Sequence, residues 1–96
     1  MIFEPARLWQ IPTEADLRHR EWEGEHVFFH GAAGDTHRFS EAAAIVLQRL
    51  MEEPSDESTL AGLLAEAAEV DVEPAQAALG AILDELARLE YAEPAR

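Results

Sequence analysis

The sequence changes character at Ser40, and that change restricts the chain to a small set of folds. The residues before it are rich in aromatic and β-branched side chains with turn glycines, which is typical of strands. The residues after it are rich in Ala, Leu and Glu, which is typical of helices. Strands followed by helices predict an α+β fold with helices on one face of an antiparallel sheet. We expect one such domain over residues 1–96, because 96 residues leave little room for a second.

The first segment predicts a meander of three strands. They are expected at Leu17–Trp22, His26–His30 and Asp35–Phe39, after an N-terminal extension over residues 1–15. Glu23-Gly24 forms the first turn. The second connection suits a three-residue hairpin loop with Gly34 in the left-handed conformation.

The register of the second hairpin decides which side chains face the helices. A three-residue loop pairs Val27 with Phe39 and Phe29 with His37, and these four would form the core face. The opposite face would then carry His26, Phe28, His30, Thr36 and Arg38. A shift of one residue would exchange the two faces, because side chains alternate along a strand.

The second segment, residues 40–90, predicts three helices. Ser40 is a good N-cap for a helix over residues 41–52, and Asp56 or Ser58 would cap the next one after a loop. Asp71 and Pro74 mark the start of the third helix. The expected apolar stripes are Ala43, Val46, Leu47 and Leu50, then Leu60, Leu63, Leu64 and Ala67, then Leu79, Ile82, Leu83, Leu86 and Leu89. With the sheet in front, the outline is that of a winged helix-turn-helix.

The charge of the chain argues against several classes of partner. Twenty acidic residues stand against seven arginines and no lysine, which gives a formal net charge of −13. Nucleic acids and anionic lipids both require clustered cations. The third helix of a winged-helix DNA binder would enter the major groove, but here it carries four acidic residues against Arg88. DNA binding is therefore a remote alternative, and we expect no nucleic-acid partner.

We also expect no membrane partner and a cytoplasmic location. The N-terminus lacks the basic start and apolar run of a signal peptide. No stretch approaches the ~20 apolar residues of a membrane-spanning helix. The absence of cysteine excludes a disulfide framework and a thiol nucleophile.

The histidines do not predict a metal site. His26 and His30 lie four residues apart on one strand, roughly 13 Å along the chain, so both cannot reach one metal without a bend. In the predicted register His37 points to the other face. We expect solvated strand histidines at positions 26 and 30, with His37 half-buried where the sheet meets the helices. Asp35 and His37 would share a face as an acid–base pair, but no nucleophile accompanies them, so no catalytic residue and no cofactor are predicted.

The remaining feature is an unpaired strand edge beside a helix with small side chains. The third strand ends the meander, so one of its sides lacks a partner and can accept an extended peptide through main-chain hydrogen bonds. Its residues are Asp35, Thr36, His37, Arg38 and Phe39. On the third helix Ala77, Gly80, Ala81 and Asp84 form a low stripe on which such a peptide would lie. Gly80 suggests a close backbone approach, although close helix packing also explains it.

The sequence resembles the PqqD family. The resemblance is carried by Trp22, Val27-Phe28-Phe29 and Gly34-Asp35-Thr36-His37-Arg38-Phe39-Ser40, followed by an Ala-rich helix with Val46-Leu47 and Leu50. The leucine spacings of the later helices also fit, and the resemblance covers roughly residues 17–90. It is closest to the PqqD-like proteins of the HPr-rel-A system, which contains an HPr-kinase-related protein.

This resemblance implies a non-enzymatic peptide chaperone. In the family a leader peptide adds as a strand beside the third strand and rests against the third helix, which corresponds here to residues 35–39 and 77–84. The implied partners are a precursor peptide and its modifying enzyme. The alternative is a scaffold or regulatory subunit that docks directly on an HPr-kinase-related protein, and a homodimer through the edge strand is also plausible.

Two features set this chain apart from the family pattern. Glu90-Tyr91 stands where such domains often end the last helix with Gly-Leu. The segment Met1–Ala15 has no clear counterpart, and its Trp9 either covers the sheet or mediates self-association. Separately, an acidic groove would favour a peptide with basic residues.

Overall fold

The structure, a computed structural model, describes residues 7–95 and contains two three-stranded antiparallel sheets and three helices. The elements, in chain order, are β1 Leu8–Gln10, β2 Leu17–Trp22, β3 Glu25–His30, β4 Asp35–Phe39, α1 Glu41–Glu52, β5 Ser55–Asp56, α2 Glu57–Ala68, α3 Val72–Arg88 and β6 Glu93–Pro94. The larger sheet has the order β2-β3-β4. This arrangement confirms the predicted α+β class, the three-stranded meander and the three helices that follow it. The likeness to a winged helix stays a prediction.

The predicted register of the β3–β4 hairpin is wrong by one residue. His26 lies opposite Phe39 and Phe28 opposite His37, so His30 pairs with Asp35 across a loop of four residues rather than three. Gly34 does take the left-handed conformation, with φ 74°. Its N–H donates to the carbonyl oxygen of His30 at 2.8 Å. That bond closes the loop one residue earlier than expected, which moves β3 by one position against β4.

The shift exchanges the two faces of β3. His26, Phe28 and His30 are buried against the helices, while Val27 and Phe29 lie on the outer face. The prediction of solvated histidines at positions 26 and 30 is therefore wrong. The faces of β4 agree with the prediction, because Phe39 is buried and His37 half-buried.

The helices begin where the predicted caps place them. The Ser40 hydroxyl accepts the N–H of Ala43 at 3.2 Å at the start of α1. The Asp56 carboxylate accepts the N–H of Thr59 at 2.7 Å at the start of α2, and this hydrogen bond lowers the pKa of Asp56. The predicted stripes are largely buried. Ala67, however, is exposed, and Ala61 is buried in the core instead.

A second small sheet was not predicted. β1 lies between β5 and β6, so it joins the N-terminal segment to the α1–α2 connection and to the C-terminal end. Trp9 in β1 is only 7% exposed, and its indole N–H donates to Glu57 at 3.1 Å. Within the predicted N-terminal extension, Trp9 thus belongs to the core, and residues 1–6 lie outside the described part of the chain. The segment predicted as a loop between α1 and α2 contains β5.

The end of α3 forms a Schellman motif. The N–H of Tyr91 donates to the carbonyl of Leu86 at 2.8 Å, and that of Glu90 donates to Ala87 at 3.1 Å. Glu90 takes φ 65°, the left-handed conformation that glycine favours at this position. A glutamate thus occupies the left-handed position at which the resemblance leads one to expect glycine.

The Schellman turn directs Tyr91 into the core beneath β4. Tyr91 is 1% exposed, and its hydroxyl donates to the carbonyl oxygen of Phe28 at 3.3 Å. Its ring meets Phe39, His37 and His30 at centroid distances of 5.1, 5.4 and 5.0 Å. Tyr91 therefore packs against the inner face of β4.

We expect Tyr91→Phe to lower the free energy of unfolding by about 1 kcal/mol, because it removes one buried hydrogen bond and keeps the packing. Tyr91→Ala should cost about 3–5 kcal/mol, because it empties a fully buried aromatic site. Urea denaturation followed by circular dichroism measures both. Equal losses for the two variants would contradict the packing role of the ring.

Candidate functional site

β4 forms one edge of the larger sheet. It pairs with β3 on one side, and within the described residues 7–95 no strand pairs with its other side. Of its side chains, Asp35, Thr36 and Arg38 are exposed, His37 is half-buried and Phe39 is buried. Within these residues, the backbone donors and acceptors along that second edge of β4 are thus not paired with any strand, which is the arrangement that strand addition uses.

A cleft of about 150 Å³ lies where the end of β4 meets α1 and α3. Its lining residues are Arg38, Phe39, Ser40, Ala43, Ile82, Glu85 and Leu86. Two of the predicted strand residues, Arg38 and Phe39, therefore lie beside α3. The helix contributes Ile82, Glu85 and Leu86 to the cleft.

The small-residue stripe of α3 faces a different direction. Ala77, Gly80, Ala81 and Asp84 are all exposed, and none of them lines the cleft. At 100° per residue they lie on the side of α3 opposite its buried residues. A Cβ added to Gly80 would meet no atom within 4 Å, so close helix packing does not explain this glycine.

Two charged side chains line the cleft, Arg38 and Glu85. Beyond it, Asp35 lies at the other end of β4 and Glu41 opens α1. Arg38 is engaged on the outer face by Glu25, whose carboxylate lies 3.5 Å from the guanidinium. Burial, and to a lesser degree the charge of Asp35, raises the pKa of Tyr91.

The four histidines lie together on the inner face of the sheet. His19 and His26 are hydrogen-bonded at 3.1 Å, and His19 stacks on Phe28 at a centroid distance of 4.4 Å. Burial lowers the pKa of His19, with a further lowering by His26 that Glu21 opposes. Within residues 7–95 no group of three or more His, Asp or Glu side chains could hold a metal ion.

His30 links the hairpin loop to the end of α3. Its Nδ1 accepts the N–H of Ala33 at 3.1 Å, which leaves Nε2–H to donate to the carbonyl oxygen of Glu90 at 2.9 Å. Both ring nitrogens are thus used in structural contacts. His30 thereby ties β3 and the hairpin loop to the Schellman turn.

Sequence reasoning missed the helix residues that line the cleft. The helical pattern places Ile82 and Leu86 in the buried stripe of α3 and gives Glu85 no role. The flank Ala78, Ile82, Glu85 follows i, i+4, i+7 spacing, which was a usable signal for a helix side running beside the strand.

The sequence profile of the family described as Coenzyme PQQ synthesis protein D (PqqD) matches residues 25–91, which is most of the chain. The chain belongs to the PqqD family. This confirms the family predicted from the sequence, whereas the assignment to the HPr-rel-A system stays a prediction. No curated protein and no solved structure matches the chain significantly.

Membership in the PqqD family is consistent with a peptide-binding partner protein in the biosynthesis of ribosomally made, post-translationally modified peptides. It is likewise consistent with a non-catalytic accessory role. In the described part of the chain, no helix is both long enough and apolar enough to cross a bilayer.

We expect Gly80→Ala to raise the free energy of unfolding by about 0.5–1 kcal/mol. Gly80 lies in the interior of α3, open space surrounds the new methyl group, and alanine loses less backbone entropy on folding. Thermal and urea unfolding of the two proteins measure the difference. A destabilised variant would contradict the open placement of this residue.

Proposed function

We propose that this protein captures a precursor peptide as an added strand beside β4 and presents it to a modifying enzyme. The peptide pairs with the backbone of Thr36–Phe39 and lies against the α3 flank of Ile82 and Glu85. The observation that carries the proposal is the open edge of β4 directly beside that flank. Membership in the PqqD family supports it.

The edge has the properties that strand addition requires. β4 is five residues long. Tyr91 packs against its inner face and β3 pairs with one of its edges, so a peptide can add to the other edge without a rearrangement of the strand. Main-chain hydrogen bonds give affinity to any extended chain, and side-chain pockets between strand and helix give specificity. Whether the stripe from Ala77 to Asp84 also contacts the peptide stays a prediction.

The acidic surroundings favour a peptide with basic residues. Glu85, Asp35 and Glu41 flank the path of the peptide, and Arg38 is paired with Glu25. Opposite charges steer a ligand toward such a groove and suppress like-charged competitors. We therefore expect Lys or Arg in the captured segment.

A second function, docking on a folded partner such as an HPr-kinase-related protein, is favoured by the outer face of the sheet. This face carries three arginines beside exposed apolar side chains, in a protein with a net charge of −13. Its members are Arg18, Arg20, Trp22, Glu25, Val27, Phe29, Thr36 and Arg38. Trp22 is 68% exposed and Phe29 is 39% exposed. Exposed apolar side chains that lie close together are typical of surfaces that bind another protein.

Single prolines at Thr36 and at His37 test strand addition. The N–H groups of successive residues point alternately to the partner strand and to the free edge. One proline therefore breaks the β3–β4 ladder and the other blocks the free edge, and the variant with the higher melting temperature identifies the second. We expect that variant to lose binding to peptides tiled from the small open reading frames of the source organism, measured by fluorescence anisotropy.

Retention of peptide by the folded proline variant would contradict strand addition. Affinity capture from lysate distinguishes the second function. A large folded protein retained by both proline variants and lost from an Arg18→Glu, Arg20→Glu variant identifies a scaffold that docks through the outer face.

Reversing the charge in the cleft tests the preference for basic peptides. We expect Glu85→Arg to weaken binding of a basic peptide about tenfold at low salt, with a smaller effect at high salt because exposed charges are screened. Glu66→Arg on α2 is the matched control, since it changes the net charge equally but lies outside the cleft. Equal losses in the two variants would show that only the overall charge matters.

A further inference from the structure

An apolar groove of about 380 Å³ lies between the three helices. Apart from Glu41, its lining is entirely apolar: Ala42 and Ile45 of α1, Leu64, Ala67 and Ala68 of α2, Val70, and Pro74, Ala75 and Ala78 of α3. Its volume falls within the roughly 300–1,000 Å³ of typical ligand sites. The alanines leave the groove unfilled, since their side chains are too short to close the space between the helices.

The groove continues the cleft at the end of β4. Ala78 lines the groove, Ile82 and Glu85 line the cleft, and the three share one flank of α3. On α1 the neighbours Ala42 and Ala43 line the groove and the cleft respectively. The groove therefore lies about one turn of α3 from the cleft, on the same side of the helix.

We propose that the groove binds an apolar side chain of the same peptide, at a position on the N-terminal side of its added strand. This inference rests on the proposed strand addition and names the peptide class more closely. An all-antiparallel sheet favours an antiparallel fourth strand. Such a peptide runs from the Phe39 end of β4 to the Asp35 end, so the residues before its strand pass over the start of α1.

The helix geometry sets the spacing of the anchor. From Glu85 to Ala78 is seven residues, about 10 Å along α3, and from Glu85 to Pro74 is about 16 Å. An extended chain covers about 3.3 Å per residue. The anchoring side chain therefore lies about three to five residues before the strand, and a large aliphatic or aromatic residue suits this apolar lining.

Charge supports the same occupant. Glu41 stands at the mouth of the groove, and Glu69, Asp71 and Glu73 lie in the sequence around Val70 and Pro74. The rim is acidic, and Glu85 adds a carboxylate to the cleft, so a peptide that combines basic residues with an apolar anchor is complementary to both. A soluble peptide of this kind suits the groove better than an acidic partner surface.

The test uses a displayed library of random 20-residue peptides selected on the full chain. We expect the enriched peptides to share an apolar residue three to five positions before an extended segment. Ala78→Phe fills the groove at an exposed position of α3. This substitution should lower the affinity of the selected peptides at least tenfold. Ala87 is exposed on the same helix but lies outside the groove and the cleft, so Ala87→Phe should leave the affinity unchanged.

A double-mutant comparison separates the groove from general effects. Replacing the peptide's anchor by Ala should weaken binding to the wild-type protein about tenfold and have little further effect on Ala78→Phe, because the two changes remove one contact. Additive losses, or unchanged binding to Ala78→Phe, would overturn the groove proposal. If the selected peptides still lose binding to the proline variant that blocks the free edge of β4, strand addition remains supported. If the selection enriches no peptide, both proposals are overturned.

Discussion

The closure of the β3–β4 loop around His30 is the constraint on which the rest of the structure depends. The carbonyl oxygen of His30 accepts the N–H of Gly34, and its ring bonds both Ala33 and Glu90. These contacts fix the loop at four residues and thereby the register of the hairpin. They also tie the hairpin to the turn that ends α3. The neutral ring supplies one acceptor and one donor, which this double role requires.

The register in turn decides what lies under β4. With Phe28 on the inner face, its carbonyl oxygen meets the Tyr91 hydroxyl, and the Tyr91 ring fills the space beneath His37 and Phe39. Glu90 supports this arrangement by adopting the left-handed conformation that turns the chain inward. β4 is consequently packed against Tyr91 on its inner face and paired with β3 along one edge, while no strand of residues 7–95 pairs with its other edge. That asymmetry is what a strand-adding site needs.

α3 borders both the cleft at the end of β4 and the apolar groove between the helices. α3 borders β4 through Ile82 and Glu85, and one and two turns earlier the same flank borders the apolar groove at Ala78 and Pro74. α1 begins at Ser40, directly after β4, so the strand and the groove are joined by one short stretch of backbone. Affinity from the edge and selectivity from the groove would thus act on adjacent parts of one peptide.

The sequence alone determined the α+β order, the helix start at Ser40 and the position of the third strand at the end of the meander, because each rests on local composition or on spacing along one element. The resemblance of its motifs indicated the PqqD family, and the structure chose Asp56 over Ser58 as the cap of α2. Only the tertiary structure decided the register, since loops of three and four residues both accommodate a left-handed Gly34, and the hydrogen bonds of His30 select between them. The strands β1, β5 and β6 are too short to carry a local signal and form only because distant segments meet at Trp9. The side of α3 beside β4 likewise depends on long-range packing, because Tyr91 and the buried leucines set the rotation of the helix. The strand of the candidate site, β4, could therefore be predicted from the sequence, whereas the residues of α3 that line the cleft depend on the packing.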